Sequence, residues 1–250
     1  MIPIYHDEPK DWKDLQNRVA KIFSDIGFNA EVEKDINLVR GKVNVDVFAT
    51  RKILKITETQ IAECKYWTTA VPKSVVHSVR TILIDYGANT GYIISRNGFQ
   101  EGAHEAAQNS NLHLFDFNQF QTEFRTQWIN NVVDELELFG YPLRKYCDRM
   151  ESFYDQYYEE LDDAKRKEFH QLQSEYENIS MYTFRLWYKS VINGQILLDD
   201  IDFVVSKNSK SFPNDIPINC LMDYFEYLKK IAREGLSKFD ILFGQPIRKN

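Results

Sequence analysis

The amino-acid sequence predicts an α/β domain, with a mixed sheet flanked by helices, followed by an all-α C-terminal domain. In the first 120 residues, segments with the period of helices alternate with short segments that have the two-residue period of strands. In residues 121–250, apolar and aromatic residues recur at helical spacing. We therefore expect two domains, at residues 1–120 and 121–250.

The composition excludes several classes of protein. Of the 250 residues, 43% are hydrophobic and 27% are charged, as in globular proteins. Lysine and arginine number 31 and acidic residues 37, so the net charge is −6 and any nucleic-acid contact must use a local patch. The three cysteines lie far apart, which argues against a disulfide framework. With no signal peptide and no long apolar segment in the sequence, we expect a cytoplasmic protein that does not enter the membrane.

The first domain is predicted to begin with a helix and to continue into a sheet. Apolar residues recur at spacings of three and four in residues 11–27. In residues 43–49, three valines alternate with Asn44, Asp46 and Phe48, which we expect on the opposite face of a strand. The other predicted elements are a short strand at 30–32, a loop at 34–42, a β-rich segment at 53–67, helices at 74–86 and 101–109, and strands at 91–95 and 112–117.

The second domain is predicted to be helical. Its predicted elements are helices at 122–139, 143–161, 163–177, 182–192 and 220–233, and a polar loop at 207–217. The first of these helices is expected to end at Gly140-Tyr141-Pro142, and the last one before Gly235. A turn is expected at Asn193-Gly194. We expect this domain to sense a ligand, to oligomerise or to dock a partner.

The residues that carry chemistry are Asp46 on one predicted strand and Glu63 and Lys65 on the next. Because residues two apart on a strand point to the same face, Glu63 and Lys65 project together and Cys64 points the other way. If the two strands are neighbours, two carboxylates and one ammonium group meet. Two carboxylates suit a hard divalent cation such as Mg²⁺, which keeps waters and accepts phosphate oxygens. The lysine adds a positive charge beside that ion.

Exposed strand faces commonly carry such charges without forming any site. The three residues alone therefore leave open the alternative that they are ordinary surface charges. Two features favour a site. The flanking valines and Ile61 place the charged residues in the middle of their strands, and the order of the surrounding elements suits such a site. The five histidines are dispersed, and neither a Cys-X-X-Cys motif nor a glycine-rich phosphate loop occurs. The sequence therefore does not support a zinc site or a nucleotide-phosphate loop.

Five segments follow one another along residues 11–120. They are LQNRVAKIFSDIGF, RGKVNVDVFA, IAECKYW, VVHSVRTILIDYGANTGYIIS and RNGFQEGAHEAAQNSNLHLFD. In this order they resemble the Mrr-type restriction endonuclease domain of the PD-(D/E)xK nuclease superfamily. The resemblance implies a restriction-endonuclease-like core and Mg²⁺-dependent hydrolysis of DNA, with Mn²⁺ able to substitute. It implies Asp46 and Glu63 as metal ligands, Lys65 as the catalytic lysine, and a role in restriction or anti-phage defence.

The chain departs from this pattern in its first helix. Many relatives carry a glutamate at the position of Gln16, where this chain has no acid. Gln16 can still act as an auxiliary residue, through its carbonyl oxygen or by orienting water. This departure leaves open a second function, a catalytically weak or inactive nuclease-fold module that binds DNA or partner proteins.

Contacts with nucleic acid are expected from basic residues that flank the proposed site in the sequence. The candidates are Arg40, Lys42, Lys73 and Arg96, for which solvated loop charges are the alternative interpretation. The expected partners are DNA and either a second copy of the chain or a partner protein of a defence system.

Overall fold

A computed structural model of the chain describes residues 1–148, 154–193, 198–212 and 217–246. It divides into two compact units. One consists of Tyr5–Trp128, and the other consists of Met1–Ile4 together with Ile129–Asn250. The domain boundary between residues 120 and 121 remains a prediction.

The unit Tyr5–Trp128 contains a five-stranded sheet and three helices that precede or connect its strands. Its elements are helix α1 (Trp12–Asp25), strands β1 (Asn29–Leu38), β2 (Gly41–Ile53) and β3 (Ile56–Lys65), helix α2 (Lys73–Tyr86), strand β4 (Thr90–Ser95), helix α3 (Glu101–Ala107) and strand β5 (Leu112–Phe115). The strands lie in the order β1-β2-β3-β4-β5. The first three are antiparallel, whereas β4 and β5 continue parallel to β3 through the helical crossovers α2 and α3. The predicted mixed sheet flanked by helices is confirmed.

Helix α1 begins and ends as its sequence predicts. The carboxylate of Asp11 accepts a hydrogen bond of 2.8 Å from the main-chain N–H of Asp14 and so caps the first turn. After the helix, Gly27 adopts a φ of 90°, which a residue with a side chain rarely adopts. The apolar face of α1 is buried, and Phe23 packs against the rings of Tyr92 and Phe124. This packing holds the helix against the sheet.

The prediction of a loop at residues 34–42 is wrong. The strand β1 continues to Leu38 and pairs with β2 as far as Leu38–Gly41. Its polar residues misled the prediction, because β1 is an edge strand whose side chains are largely exposed, although Ile36 is buried. Charged residues are common on edge strands, where they oppose pairing with another chain.

The second unit is helical. Its elements are α4 (Phe117–Cys147, which begins in the first unit), α5 (Asp155–Glu159), α6 (Asp163–Asn193), α7 (Leu198–Asn208), a short 3-10 helix (Ser209–Ser211) and α8 (Leu221–Phe243). The two helices predicted at 163–177 and 182–192 form one helix, α6. The loop predicted at 207–217 begins with helical residues. The predicted turn residue Gly194 and the middle of the predicted helix 143–161 lie outside the described residues.

Two predicted helix ends in this unit are also wrong. Helix α4 continues through Gly140 and Pro142, and α8 continues through Gly235 to a left-handed cap at Gly244. Both internal glycines are places of close contact. A methyl group at Gly140 would lie 2.6 Å from Oγ1 of Thr183, and one at Gly235 would lie 2.8 Å from Cδ1 of Tyr176. These glycines therefore let helices approach each other and do not end them.

Within the described ranges, no helix combines the length and the apolar character that crossing a membrane requires.

Candidate active site

The two predicted carboxylates lie where the pairing of β2 with β3 ends. The last paired residues of the ladder are Val47 and Ala62, and the next residues in the same register are Asp46 and Glu63. The antiparallel register of this hairpin therefore brings the two acids to neighbouring positions. At this point the side chains, rather than the main-chain ladder, connect the two strands.

The alternation of β2 also changes at Asp46. Phe48 was expected on the face opposite the valines, but it packs in the same apolar cluster as Val43 and Val45. On the neighbouring strand β1, Glu33 has a φ of 49° and is skipped in a register that is otherwise continuous. The predicted strict alternation is therefore wrong, because it changes between Val45 and Phe48, where Asp46 stands opposite the irregular residue Glu33.

The carboxylate of Asp46 is fixed from two sides. Its Oδ2 accepts a hydrogen bond of 2.7 Å from the main-chain N–H of Cys64, which takes the place of a ladder contact. Its Oδ1 accepts a hydrogen bond of 2.9 Å from Nε2 of Gln16, a buried residue of α1. Each carboxylate oxygen retains a further lone pair. The side chain is thus held in one orientation with acceptor capacity left for a cation.

Glu63 and Lys65 project from β3 together, and the ammonium of Lys65 contacts Oε1 of Glu63. Their side chains are only 19% and 16% exposed. Burial raises the pKa of Glu63 above its ordinary value, and the charge of Asp46 raises it further, whereas Lys65 lowers it. Two acids therefore share a partly buried site with a single base. Such a site favours a further positive charge, and a pKa shifted in this way is typical of functional clusters.

Cys64 lies between these two residues, but its side chain takes no part in the site. It is buried, and burial raises the pKa of its thiol well above the usual range. A buried, protonated thiol is a poor nucleophile and a poor metal ligand. Its main-chain N–H, which holds Asp46, is its contribution.

The residues at the site fit one divalent cation. Nowhere in the described part of the chain do three or more His, Cys, Asp or Glu side chains form a group that could hold a metal. Two carboxylates are nevertheless a usual protein contribution to a Mg²⁺ site, where waters and substrate phosphates complete the octahedron. Burial, and then the charge of Asp46, raise the pKa of Glu63, so a bound cation would favour its charged form. Gln16 adds an amide but no charge, so the set suits one ion and does not supply a third acid for a second.

The structure brings one of the four candidate basic residues next to the site. The main-chain N–H of Arg96 donates to the carbonyl of Lys65 at 2.9 Å. Lys42 lies four residues before Asp46 on β2, roughly 13 Å along the strand. Arg40 lies in the turn between β1 and β2, with Nε 3.5 Å from a carboxylate oxygen of Asp85. Lys73 begins α2 and, among the described residues, makes no hydrogen bond or ion pair with the site.

The sequence interpretation missed two aromatic residues that follow the lysine directly. The hydroxyl of Tyr66 lies 2.9 Å from the main-chain oxygens of both Pro9 and Lys10, and so ties the segment before α1 to the end of β3. The ring of Trp67 is 41% exposed, and its centre lies 5.3 Å from Nζ of Lys65. The signal was available, since both aromatic residues stand in the segment IAECKYW.

Comparison with known protein families gives a match within the first unit. Residues 9–123 match the family model of a restriction endonuclease domain, Mrr_cat. No curated protein matches the chain in sequence. A crystal structure of a protein of unknown function, AF1548, aligns with 40% of this chain at 19% identity and a TM-score of 0.35, and the chain spans about half the length of that protein, 54%. The family match over residues 9–123 is consistent with an Mrr-type restriction endonuclease domain of the PD-(D/E)xK nuclease superfamily.

Proposed function

We propose that this domain is a divalent-metal-dependent DNA endonuclease that hydrolyses phosphodiester bonds, and that it serves restriction or anti-phage defence in the cytoplasm. The observation that carries the proposal is the meeting of Asp46, Glu63 and Lys65 at the end of the β2–β3 ladder. The charges there are unbalanced, because two acids share one base in a largely buried place. A match to a nuclease family over the same residues supports this interpretation.

Each site residue has a role that follows from its contacts. Asp46 and Glu63 would hold the cation, Mg²⁺ or in its place Mn²⁺, and Gln16 and the N–H of Cys64 keep Asp46 in the orientation that this requires. The ion, when bound, supplies positive charge to the phosphate and makes water more acidic. The ammonium of Lys65 is then free to leave Glu63 and donate hydrogen bonds to a phosphate oxygen, where negative charge develops during attack.

DNA has to reach this site against an overall negative charge of −6. Arg96 lies beside Lys65, and Lys42 and Arg40 lie along β2 and its preceding turn. Such a small number of basic residues supports weak binding with a steep dependence on salt, unless a second copy or a partner adds basic surface. We propose this role of oligomerisation or partner docking for the helical residues 121–250.

The test is a cleavage assay with the full chain. Supercoiled plasmid and linear and branched oligonucleotides are incubated with Mg²⁺, with Mn²⁺ or with EDTA. We expect cleavage only with metal, and a loss of at least 100-fold in Asp46→Ala, since that variant lacks one of the two carboxylates that would hold the ion. The matched control is Glu58→Gln, which removes a carboxylate from the neighbouring strand β3, toward the other end of the same ladder, and should keep cleavage.

Equal cleavage by the wild type and Asp46→Ala, or no cleavage of any of these DNA forms with either metal, would contradict the proposal. DNA binding without cleavage would favour the alternative, a nuclease-fold module that has lost activity. Only the neutral side chain of Gln16 points toward that alternative. Branched DNA cut in preference to linear DNA would replace restriction by repair or junction resolution.

A further inference from the structure

A pocket of about 290 Å³ opens beside the candidate active site. Three of its lining residues directly follow the parallel strands of the sheet: Tyr66 comes after β3, Arg96 after β4 and Asp116 after β5. The carboxyl ends of parallel strands are the usual place for a ligand in an α/β sheet. The buried floor includes Leu15 and Phe117, which present apolar surface.

The rim of the pocket offers charges that the described protein leaves available. The guanidinium of Arg96 lies 4.4 Å from the ring centre of Tyr66, and in the described ranges it has no ion pair or side-chain hydrogen bond. Glu8 uses one oxygen to accept from the amide of Asn118 at 2.8 Å. Asp116 uses one oxygen to cap α4. The second oxygen of each carboxylate has no hydrogen bond to any described residue.

We propose that this pocket binds one unstacked base of the DNA strand being cut, and that it favours a base with an exocyclic amino group, which means cytosine, adenine or guanine. This inference rests on the proposed function and specifies its substrate as a strand that is unpaired at the site. Aromatic and apolar walls stack on the face of any base. The free carboxylate oxygens of Glu8 and Asp116 accept hydrogen bonds from an amino group, which thymine lacks. Arg96 meets the phosphate that leads the base into the pocket.

The position of the pocket connects it to the chemistry. Tyr66 and Arg96 directly follow Lys65 and Ser95, which are paired residues of β3 and β4, so the pocket lies at the same edge of the sheet as Lys65. Arg96 is hydrogen-bonded through its main chain to Lys65. A strand whose phosphate lies at Lys65 therefore passes Arg96 next. The volume of about 290 Å³ suits a ligand as small as a single base, because it lies just below the range for small-molecule pockets, roughly 300–1,000 Å³.

Binding to the full-length Asp46→Asn variant tests the pocket without cleavage. The probes are fluorescent thymidine dodecamers that carry one deoxycytidine, no substitution or one abasic nucleotide at the same position, which is moved along the strand. At the position that reaches the pocket, we expect Kd to rise about threefold from cytosine to thymine and about tenfold from cytosine to the abasic site. Adding Glu8→Gln and Asp116→Asn should abolish the preference for cytosine over thymine and keep the loss at the abasic site. Glu101→Gln, an exposed acid of α3, is the control and should change neither.

Equal Kd values for all three probes at every position would overturn the proposal. A cytosine preference that survives Glu8→Gln with Asp116→Asn would overturn the assignment of these carboxylates. The two proposals fail separately. If the wild type cuts no DNA but the base preference is present, the nuclease proposal fails and the pocket stands. If the wild type cuts at positions that bear no fixed offset to the single cytosine, the pocket fails and the nuclease stands.

Discussion

The two ends of the β2–β3 ladder carry the same kinds of side chain in opposite circumstances. At one end, Arg51 and Glu58 are paired residues, and the guanidinium donates to one carboxylate oxygen at 2.7 and 3.2 Å. The same guanidinium lies 4.2 Å from the ring centre of Phe28. At the other end, main-chain pairing has stopped, and Lys65 pairs with Glu63 whereas Asp46 accepts hydrogen bonds from Gln16 and Cys64.

This difference separates a stabilising ion pair from a cluster suited to chemistry. The Arg51–Glu58 pair is balanced in charge and satisfied in geometry, so it has nothing to offer a ligand. The Asp46–Glu63–Lys65 cluster keeps one uncompensated negative charge in a partly buried place, which costs stability in the absence of a cation. Proteins tolerate such a cost at functional sites and offset it elsewhere in the fold.

The largest expected effect is on cleavage, and it concerns the role of Lys65. Changing Lys65→Met should lower the rate of cleavage by at least about 100-fold, because the ammonium that faces the phosphate is lost. Both carboxylates remain, so Mg²⁺ should still raise the melting temperature of this variant. Asp46→Ala should lose both cleavage and the rise of the melting temperature with Mg²⁺. The measurements are initial cleavage rates and thermal unfolding with and without Mg²⁺.

Cleavage by Lys65→Met at the wild-type rate would remove the lysine from the mechanism. The control is Arg51→Met at the opposite end of the β2–β3 ladder. It also replaces a paired cation by methionine, and it should cut normally.

The next effect is on stability, where the same substitution should act in opposite directions at the two ends. Glu58→Gln should lower the free energy of unfolding by about 1 kcal/mol, since it breaks a satisfied but partly exposed ion pair. Glu63→Gln should raise it at pH 7 without metal, because it removes a buried charge whose pKa is raised. Urea unfolding of both variants measures the comparison. If both variants lose stability equally, the two ends do not differ as described.

The smallest effect is on the pH dependence of stability. Because the pKa of Glu63 in the folded protein is raised above its ordinary value of 4.5, the folded state keeps a proton that the unfolded state releases as pH rises. The contribution of Glu63 to stability is therefore fully present below pH 4.5 and is lost as pH rises through the raised pKa. The difference in unfolding free energy between Glu63→Gln and the wild type should grow through that window and then become constant. A difference that stays flat from pH 4 to pH 8 would contradict the raised pKa.

Prediction from the sequence succeeded where the signal is local. Helix α1 and strand β4 were anticipated within a few residues, and Glu63 and Lys65 were expected on one face, because the two-residue period of a strand follows from covalent geometry. Prediction from the sequence failed where the same residue type serves either of two structural roles. Gly140 and Gly235 resemble helix ends, yet both are contact points between helices. A glycine signals that no side chain fits, but it does not say whether a turn or a neighbour is the reason.

The candidate site divides in the same way. The three charged residues were proposed from their types and spacing, and Gln16 from the family resemblance. The shift of alternation at Asp46 and its hydrogen bonds to Gln16 and Cys64 were not predicted. These contacts join residues that are 18 and 30 positions apart. The pocket around Arg96 and Tyr66 was missed for the same reason, since three separate strand ends build it.

The sequence by itself determined most helices and strands of the nuclease-like half, their order, and the presence of an acid on one strand and an acid and a lysine near the end of the next. Each of these depends on periodicity and residue type within about ten positions. Only the tertiary structure decided that the acids take neighbouring positions, that Gln16 and Cys64 hold Asp46, and that a pocket opens at the same edge of the sheet. Register, burial and electrostatic coupling arise between segments distant in sequence, and they exist only once the sheet has assembled.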